Sequence, residues 1–415
     1  MPQWSEFSTG QRIKILRGPD MTQEDLAHAC HLSVDAIRAA ERDVRLTLPT
    51  LLAVSAALHC DVSVILGQST PRRATTHADR VIMTALSHAI HDTSAGRLPE
   101  TLDEPPTVAE LSEIVTQAWS TYWTGQYAQV GALAAPLVRE AAARLHVQPD
   151  GEQASAWAVL ADAYRISAYV ANLMGARDLA YAAIGHAHHA ASQAADPLRA
   201  ALVDSGRAWV YLRDARLADA LDLAEKAATD IEPRFSKASH EELTVYGSHI
   251  NFAAVVASRM ANSVRAADYL SQSHAAGARM GREHGAFGTL FGPVTATTQA
   301  VGIKVSLGET GQALDLIDSI GDVSQLQKAA QHRYAMDKAL AQADARMWDS
   351  ALDTLEGALE DAPEWARHQA LPGVIAEKIG AGSTARLRKV SRIIGVSPVP
   401  REGMGFAAAD RRTAL

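Results

Sequence analysis

The sequence predicts an all-α protein in which a small N-terminal bundle of short helices precedes a long array of helical hairpins. Alanine is abundant while aromatic residues make up only 5% of the chain, a composition that favours closely packed helices. Threonine, serine or aspartate stands at the head of several apolar-periodic segments, where helix caps belong. After residue 107 a turn residue followed by small or apolar residues at fixed offsets recurs down the chain. With 415 residues, 47% of them hydrophobic, the chain is long enough for two or three structural units.

Taken in order, Thr22 caps a helix that opens Gln23-Glu24-Asp25-Leu26-Ala27, its acidic residues lying in the first turn where the helix dipole favours them. After His31-Leu32, Ser33 caps a second short helix, Val34 to Arg42. Its Ile37 faces inward and Asp35, Arg38 and Arg42 face outward. Thr47 caps a third helix with Pro49 in its first turn, and Leu51, Leu52, Val54, Ala57 and Leu58 form its buried stripe. Asp61 caps a last short helix, Val62 to Leu66.

From about Gly10 to Gly67 this order of residues resembles the lambda-repressor-like, or XRE, helix-turn-helix domain. Gly10 to Arg17 is similar to that family's first helix, and Gln23, Ala27, Ser33, Ile37, Glu41 and Leu51 fall at its landmarks. The resemblance implies a five-helix DNA-binding domain over residues 1–67. It implies that Gln23 touches backbone phosphate, that Ser33, Val34, Asp35 and Arg38 bring the recognition helix to the base edges, and that Arg42 and Arg45 lie beside phosphates. His31 and Asp43 stand where the family usually has glycine, and both tolerate positive φ better than most residues. The connection Gly18-Pro19-Asp20 is about a residue short. Residues 1–67 hold six Lys or Arg against eight Asp or Glu, so one copy is expected to bind DNA modestly and to depend on pairing.

The two cysteines, Cys30 and Cys60, read as small core residues. No apolar N-terminal run resembles a signal peptide and no segment is apolar enough to span a bilayer, so the expectation is a cytoplasmic protein with no membrane contact. Residues 68–106 read as a linker: Gln68-Ser69-Thr70-Pro71-Arg72-Arg73 is turn-rich, Ala78 to His91 looks helical, and Gly96, Pro99, Pro105 and Pro106 break the pattern beyond it. Arg72, Arg73 and Arg80 either lie along DNA phosphates or belong to a solvated linker.

Residues 107–380 form the repeat region. Counting five, nine and twelve positions from each turn residue, Gly125 leads to Val130, Ala134 and Leu137; Gly175 to Ala180, Ile184 and Ala187; and Ala215 to Ala220, Ala224 and Ala227. Likewise Ala261 leads to Ala266, Leu270 and Ser273; Gly308 to Ala313, Ile317 and Ile320; and Arg346 to Ala351, Leu355 and Ala358. Each set lies on one helical face, which predicts about six hairpins. The spacing resembles the tetratricopeptide repeat, with Trp157, Tyr164, Trp209, Tyr211 and Trp348 as aromatic landmarks and Pro363 closing the last clear unit, although the units are longer than the usual 34 residues. The resemblance implies an α-solenoid with a concave groove.

The joined architecture is similar to the RRNPP group of peptide-pheromone receptors, quorum-sensing regulators. That resemblance implies a homodimeric transcription regulator that binds a near-palindromic double-stranded operator and responds to a short signalling peptide in the groove. Asparagine side chains commonly hold the peptide backbone in that group, since the amide both donates and accepts. Asn172, Asn251 and Asn262, all the asparagines of this chain, are therefore the ligand-binding expectation, with Asn251 preferred. Competing readings are a repeat scaffold on which the N-terminal domain only docks, and a regulator that senses a small molecule. No enzymatic motif, cofactor or metal site is expected: His186, His188 and His189 lack further ligands, and Gly380-Ala381-Gly382-Ser383-Thr384 lacks the lysine of a phosphate loop. In the basic tail, residues 381–415, Arg386, Arg388, Lys389 and Arg392 alternate with Leu387, Val390 and Ile393 in an amphipathic helix that caps the solenoid or supports dimer contact.

Overall fold

The computed structural model describes residues 4, 7–44, 48–58, 60, 62–65, 77–98, 104–369, 371–379 and 385–394. Arg45, Thr47, Asp61, Leu66, Arg72, Arg73, the 380–384 segment and the tail beyond 394 lie outside them. The described chain is predominantly helical, with a single two-stranded hairpin among the described residues.

Five short helices come first: α1 (Thr9–Arg17), α2 (Gln23–Ala29), α3 (Val34–Glu41), α4 (Leu48–Ala57) and α5 (Val62–Ile65). Each of the first three begins at a side-chain cap, Ser8, Thr22 and Ser33 accepting from the amides of Gln11, Asp25 and Ala36. The Asp25 carboxylate in turn accepts from the Thr22 hydroxyl at 2.6 Å and from the Thr22 amide at 2.9 Å, and these two bonds hold its carboxyl below the usual range. The turns after α2 and α3 close through left-handed His31 (φ 54°) and Asp43 (φ 58°), the two positions where positive φ is expected. Ile13, Leu26, Ile37, Val54, Leu58 and Ile65 are fully buried at the centre of this unit.

Next, α6 (His77–Ser94) packs along α8 rather than standing free in a linker, and its Leu86, Ala89 and Ile90 are fully buried in the main core. A Cβ on Gly131 would lie 2.2 Å from Ile82 Cγ2, so glycine is what lets the two helices approach so closely. In the first turn of α6, Arg80 is buried and donates to the main-chain oxygens of Leu16 and Leu58, tying α6 to the ends of α1 and α4. Arg80 is therefore a buried tie between helices and neither a solvated linker residue nor an exposed cation.

Six antiparallel hairpins come after it: α7 (Val108–Trp123) with α8 (Tyr127–Val147), α9 (Gln153–Leu173) with α10 (Arg177–Ala194), and α11 (Pro197–Arg213) with α12 (Leu217–Asp230). The others are α13 (His240–Arg259) with α14 (Ser263–Met280), α15 (Pro293–Ser306) with α16 (Thr310–Ser319), and α17 (Lys328–Asp344) with α18 (Trp348–Asp361). All six turn residues singled out by spacing, Gly125, Gly175, Ala215, Ala261, Gly308 and Arg346, have positive φ. The residues five, nine and twelve places on are buried, except Ile320, which is half-buried.

The array curls until its end meets its beginning. The Ala128 amide donates to Glu364 Oε1 at 2.7 Å, the Tyr127 and His368 rings lie 5.5 Å apart, and α17 touches α7. Pro363 stands directly after the end of α18 and opens α19 (Pro363–Arg367), whose buried Trp365 stands against Gly125. Beyond it, α20 (Leu371–Ile379) packs on α17 and α18. The final helix α21 (Ala385–Ile393) caps α18 through ion pairs of Arg386 with Asp353 and Glu356 and of Lys389 with Glu360.

Between α14 and α15 the chain leaves the helical pattern. Strands β1 (His284–Ala286) and β2 (Thr289–Phe291) pair antiparallel, Ala286 opposite Thr289, around a two-residue turn at Phe287 and Gly288. Nothing in the helical periodicity predicts this hairpin.

The left-handed turns and a buried histidine set two stability expectations. Ala215→Gly, and separately Ala261→Gly, removes the left-handed penalty of roughly 1–2 kcal/mol for an L-residue, offset in part by glycine's entropy, and should raise unfolding free energy by about 0.5–1 kcal/mol in urea titrations. His249 is completely buried, its Nε2–H donating to Ala201 O at 2.8 Å, and burial pushes its pKa down from 6.5 to about 4. The folded protein then holds fewer protons than the unfolded chain between those values, so this contribution is complete above pH 6.5 and is lost as pH falls to 4, by about 3 kcal/mol. Urea midpoints measured from pH 7 to 4 should fall accordingly, and His249→Gln should flatten the profile.

Candidate functional site

Two regions stand out as candidate sites. The first is the outer face of α3, where Asp35, Arg38 and Arg42 are exposed while Ile37 and Ala40 are buried beneath. Arg38 Nη1 stands 3.1 Å from Asp35 Oδ1 in an exposed pair, a contact of roughly 0–1 kcal/mol that water or another anion readily replaces. Val34 is half-buried against the N-terminal core, and Ser33 spends its hydroxyl on the cap. Gln23 is half-buried and its Nε2 donates to Glu41 Oε2 at 2.7 Å. The other oxygen of Glu41 accepts from Arg17 Nε, also at 2.7 Å. Glu41 thus joins α1, α2 and α3, and Gln23 sets the angle between helices rather than pointing freely outward.

The second region lies inside the curl. The first helices of all six hairpins face a cavity of about 330 Å³. From α7 come Trp119, Tyr122 and Trp123, from α9 Arg165 and Tyr169, from α11 Trp209 and Arg213, and from α13 Asn251 and Phe252. Gln299 of α15 and Arg333 of α17 complete the circuit, with Trp365 of α19 at the seam. The rings meet mostly edge to face: Trp119 lies 5.1 Å from Tyr169, and Tyr122 5.8 Å from Tyr169, the geometry in which aromatic quadrupoles attract. Burial raises the pKa of the Tyr122 and Tyr169 phenols. Among the described residues, three arginines line the space and no Asp or Glu does. The carboxylates of Asp162 and Asp337 sit behind Arg165 and Arg333, at 3.2 Å in each case. The wall is therefore aromatic with cationic points, suited to a ligand that offers apolar groups and oxygen acceptors.

The β1–β2 hairpin enters this space from α14. Gly288 lies flat on the Trp119 indole, a Cβ there being 2.4 Å from Cγ. Trp123 Nε1–H donates to Gly288 O at 2.6 Å, and Arg165 Nη2 donates to Phe287 O. The Arg199 guanidinium stands 4.9 Å from the centre of the Phe287 ring. On the far side of the tip is a second cavity of about 450 Å³ that shares Trp119, Trp123, Gly288, Thr289 and Gln327 with the first.

The three asparagines are not brought together. Asn251 lines the cavity, buried, its Oδ1 accepting from Ser273 Oγ at 3.2 Å. Asn262 caps α14 by accepting from the Arg265 amide at 3.1 Å. Asn172 is buried near the end of α9 with Nδ2 unbonded, away from the cavity lining. Sequence spacing does not single out the aromatic and arginine residues as a site; their one signal is a place in the first helix of successive hairpins. The histidines of α10 are dispersed, His186 beside Tyr164, His188 paired with Asp204 at 3.1 Å and His189 beside Trp157. No group of residues suited to a metal ion occurs among those described, and no described helix is long and apolar enough to cross a membrane.

Compared with models of known families, with curated proteins and with solved structures, the chain matches none.

Because Glu41 satisfies both Arg17 and Gln23 at a largely buried position, Glu41→Ala should cost about 2 kcal/mol, the scale of a charge-assisted hydrogen bond. Thermal unfolding should show the loss, and Asp35→Ala, whose side chain is 90% exposed, should leave the transition within about 0.5 kcal/mol of its original stability.

Proposed function

We propose that this chain is a sequence-specific transcription regulator of the cytoplasm. Its N-terminal unit acts as a lambda-repressor-like helix-turn-helix reading head, and its tetratricopeptide-like solenoid binds a short peptide. The observation that carries the reading is the α2–α3 pair. Two capped helices are locked by Glu41 across a left-handed His31 turn, and they leave Asp35, Arg38 and Arg42 of the second helix facing outward. A helix presented in this way fits the major groove, with its first residues toward base edges and its end beside phosphate. The aromatic cavity supports a ligand-controlled regulator, because a concave apolar space with a few placed polar groups is where small ligands bind.

The scarcity of cationic side chains on the reading head makes a dimer the working form. Two heads on a near-palindromic site double the phosphate contacts, and the distance between them becomes the quantity a ligand alters. Ligand control requires unequal affinity for the two arrangements, roughly 5.5 kcal/mol for a complete reversal of population.

The test is selection of bound fragments from genomic DNA by the purified full chain, followed by anisotropy titration on the recovered site at several salt concentrations. Arg42→Ala should weaken binding to all sequences alike and reduce the salt slope by about 1. Arg38→Ala should also relax base preference, at a cost of roughly 1–3 kcal/mol for the preferred base. Absence of DNA binding at low salt would rule the reading out.

A further inference from the structure

We propose that the tip of the β1–β2 hairpin is an internal stand-in for the ligand, and that the solenoid recognises a peptide carrying an aromatic residue followed by glycine, which binds by displacing Phe287 and Gly288. This deepens the ligand part of the proposed function and rests on it.

The tip is held the way a bound peptide is held. Its two successive main-chain carbonyls each meet an N–H donor from a different helix, Arg165 of α9 and Trp123 of α7. Its one large side chain, the Phe287 ring, faces a guanidinium, Arg199. The next position fits only a residue without a Cβ, because the Trp119 indole fills the space. Main-chain hydrogen bonds combined with side-chain pockets are how folded domains bind peptide segments. Trp123 and Gly288 are 165 residues apart in sequence, so the fit is made by the closed curl and not by local chain geometry.

The tip is also poorly suited to its own turn. A two-residue hairpin turn with positive φ at both central positions calls for Asn, Asp or Gly at the first, yet Phe287 stands there at φ 47°, before Gly288 at φ 78°. A bulky residue in that region is strained, which places the phenylalanine where contact, not turn preference, selects it. Beneath the tip, Trp119 Nε1 and Arg165 Nε are buried without hydrogen-bond partners. Buried unsatisfied donors are costly, and a ligand that enters as the tip leaves has room to satisfy them. Cavities of about 330 Å³ and 450 Å³ flank the tip; both are lined by Trp119 and Trp123, the first also by Arg165 and the second by Arg199. Withdrawal of the tip joins them into one site lined by both indoles, Arg165, Arg199 and Asn251.

A tethered tip competes with free peptide at an effective concentration of the order of millimolar. A peptide binding the vacated site with micromolar affinity is then masked in the resting protein and emerges once the tip is weakened.

The probe is the hairpin sequence supplied in trans, acetyl-Gly-Ala-Phe-Gly-Thr-amide, titrated by calorimetry into the full chain. Phe287→Gly is the variant of choice, since glycine suits the turn and only the ring is lost. The peptide should bind this variant at least tenfold more tightly than the original chain, and the same peptide with alanine for phenylalanine should lose that gain. Equal affinity for both chains, or no binding to either, overturns the proposal. If the variant is misfolded by circular dichroism, hydrogen exchange on the original chain decides. At millimolar peptide the amides of 284–291 should exchange faster, and unchanged or slower exchange overturns the proposal. DNA binding is measured separately. Peptide binding without DNA binding leaves this inference standing and removes the regulator reading, whereas DNA binding without peptide binding does the reverse.

Discussion

The contact between the first hairpin and the last, where the Ala128 amide meets Glu364 and Trp365 stands against Gly125, gives the interior of this molecule its form. An open solenoid leaves the inner faces of its helices on a groove that solvent enters along its length. Here the curl returns on itself, so the same inner faces converge on a bounded space. Closure depends on thin helices: Ala134, Ala180, Ala220, Ala266, Ala313 and Ala351 are fully buried in the second helices of the six hairpins. Small residues bring helix axes together, which tightens the curvature of the stack. Aromatic residues, scarce in the chain as a whole, collect where the inner faces meet, and the volume that alanine leaves open at the axis is occupied by Trp119, Tyr122, Tyr169 and Trp209.

A bounded axial space changes what the β1–β2 hairpin does. The Arg165 guanidinium already lies over the Trp119 ring, 4.5 Å from its centre, and the hairpin adds main-chain partners to that pair. The tip supplies Gly288 as a flat surface for one indole, a carbonyl for the other and a second carbonyl for the arginine. Phe291, at the foot of β2, is fully buried in a niche where a Cβ on Gly247 would lie 2.1 Å from Phe291 Cε1. The base is held by dense apolar packing; the tip joins packing of the Phe287 ring on the cluster of Ala201, Leu202 and Val245 to main-chain hydrogen bonds and one cation–π contact.

Much of the helical layout is legible in the sequence because its signals are local. Thr22 and Ser33 cap their helices with side chains that reach only three residues ahead, and His31 and Asp43 take the left-handed turns that their short polar or aromatic-polar side chains tolerate. The hairpin turns are legible at Gly125, Gly175 and Gly308 for the same reason, and at Ala215, Ala261 and Arg346 only because the small residues after them repeat the spacing. The features that escape are non-local. Gln23 looks like an outward polar residue until Glu41, on another helix, takes its amide. Arg80 looks like a linker cation until α6 folds onto α8 and turns it into the seam with α1 and α4. Of the three asparagines, only Asn251 lies on the inner face, because inner and outer are decided by the curl of the whole stack. The hairpin's Gly-Ala-Phe-Gly-Thr-Leu-Phe run carries no helical period, and its partner residues lie on helices far earlier in the chain.

The same geometry defines what a ligand-controlled regulator of this form requires. From the tip, contact runs through Trp123 on α7 to its partner α8, from α8 through the close Gly131–Ile82 approach to α6, and from α6 through Arg80 to the carbonyls of Leu16 and Leu58. Contiguity of this kind transmits nothing by itself, since every packed protein contains such chains of contact; coupling needs an element with two arrangements of comparable free energy. The helices of the stack are poor candidates for that element, because moving any one breaks an alanine-packed interface on both sides. The tip is a better one, since its turn is strained and the space it vacates lies between two existing cavities. On the proposed reading, the energetic difference between ligand-bound and ligand-free protein is concentrated at Phe287 and Gly288. α7 is the first rigid body to sense it, because α7 carries both indoles that the tip touches.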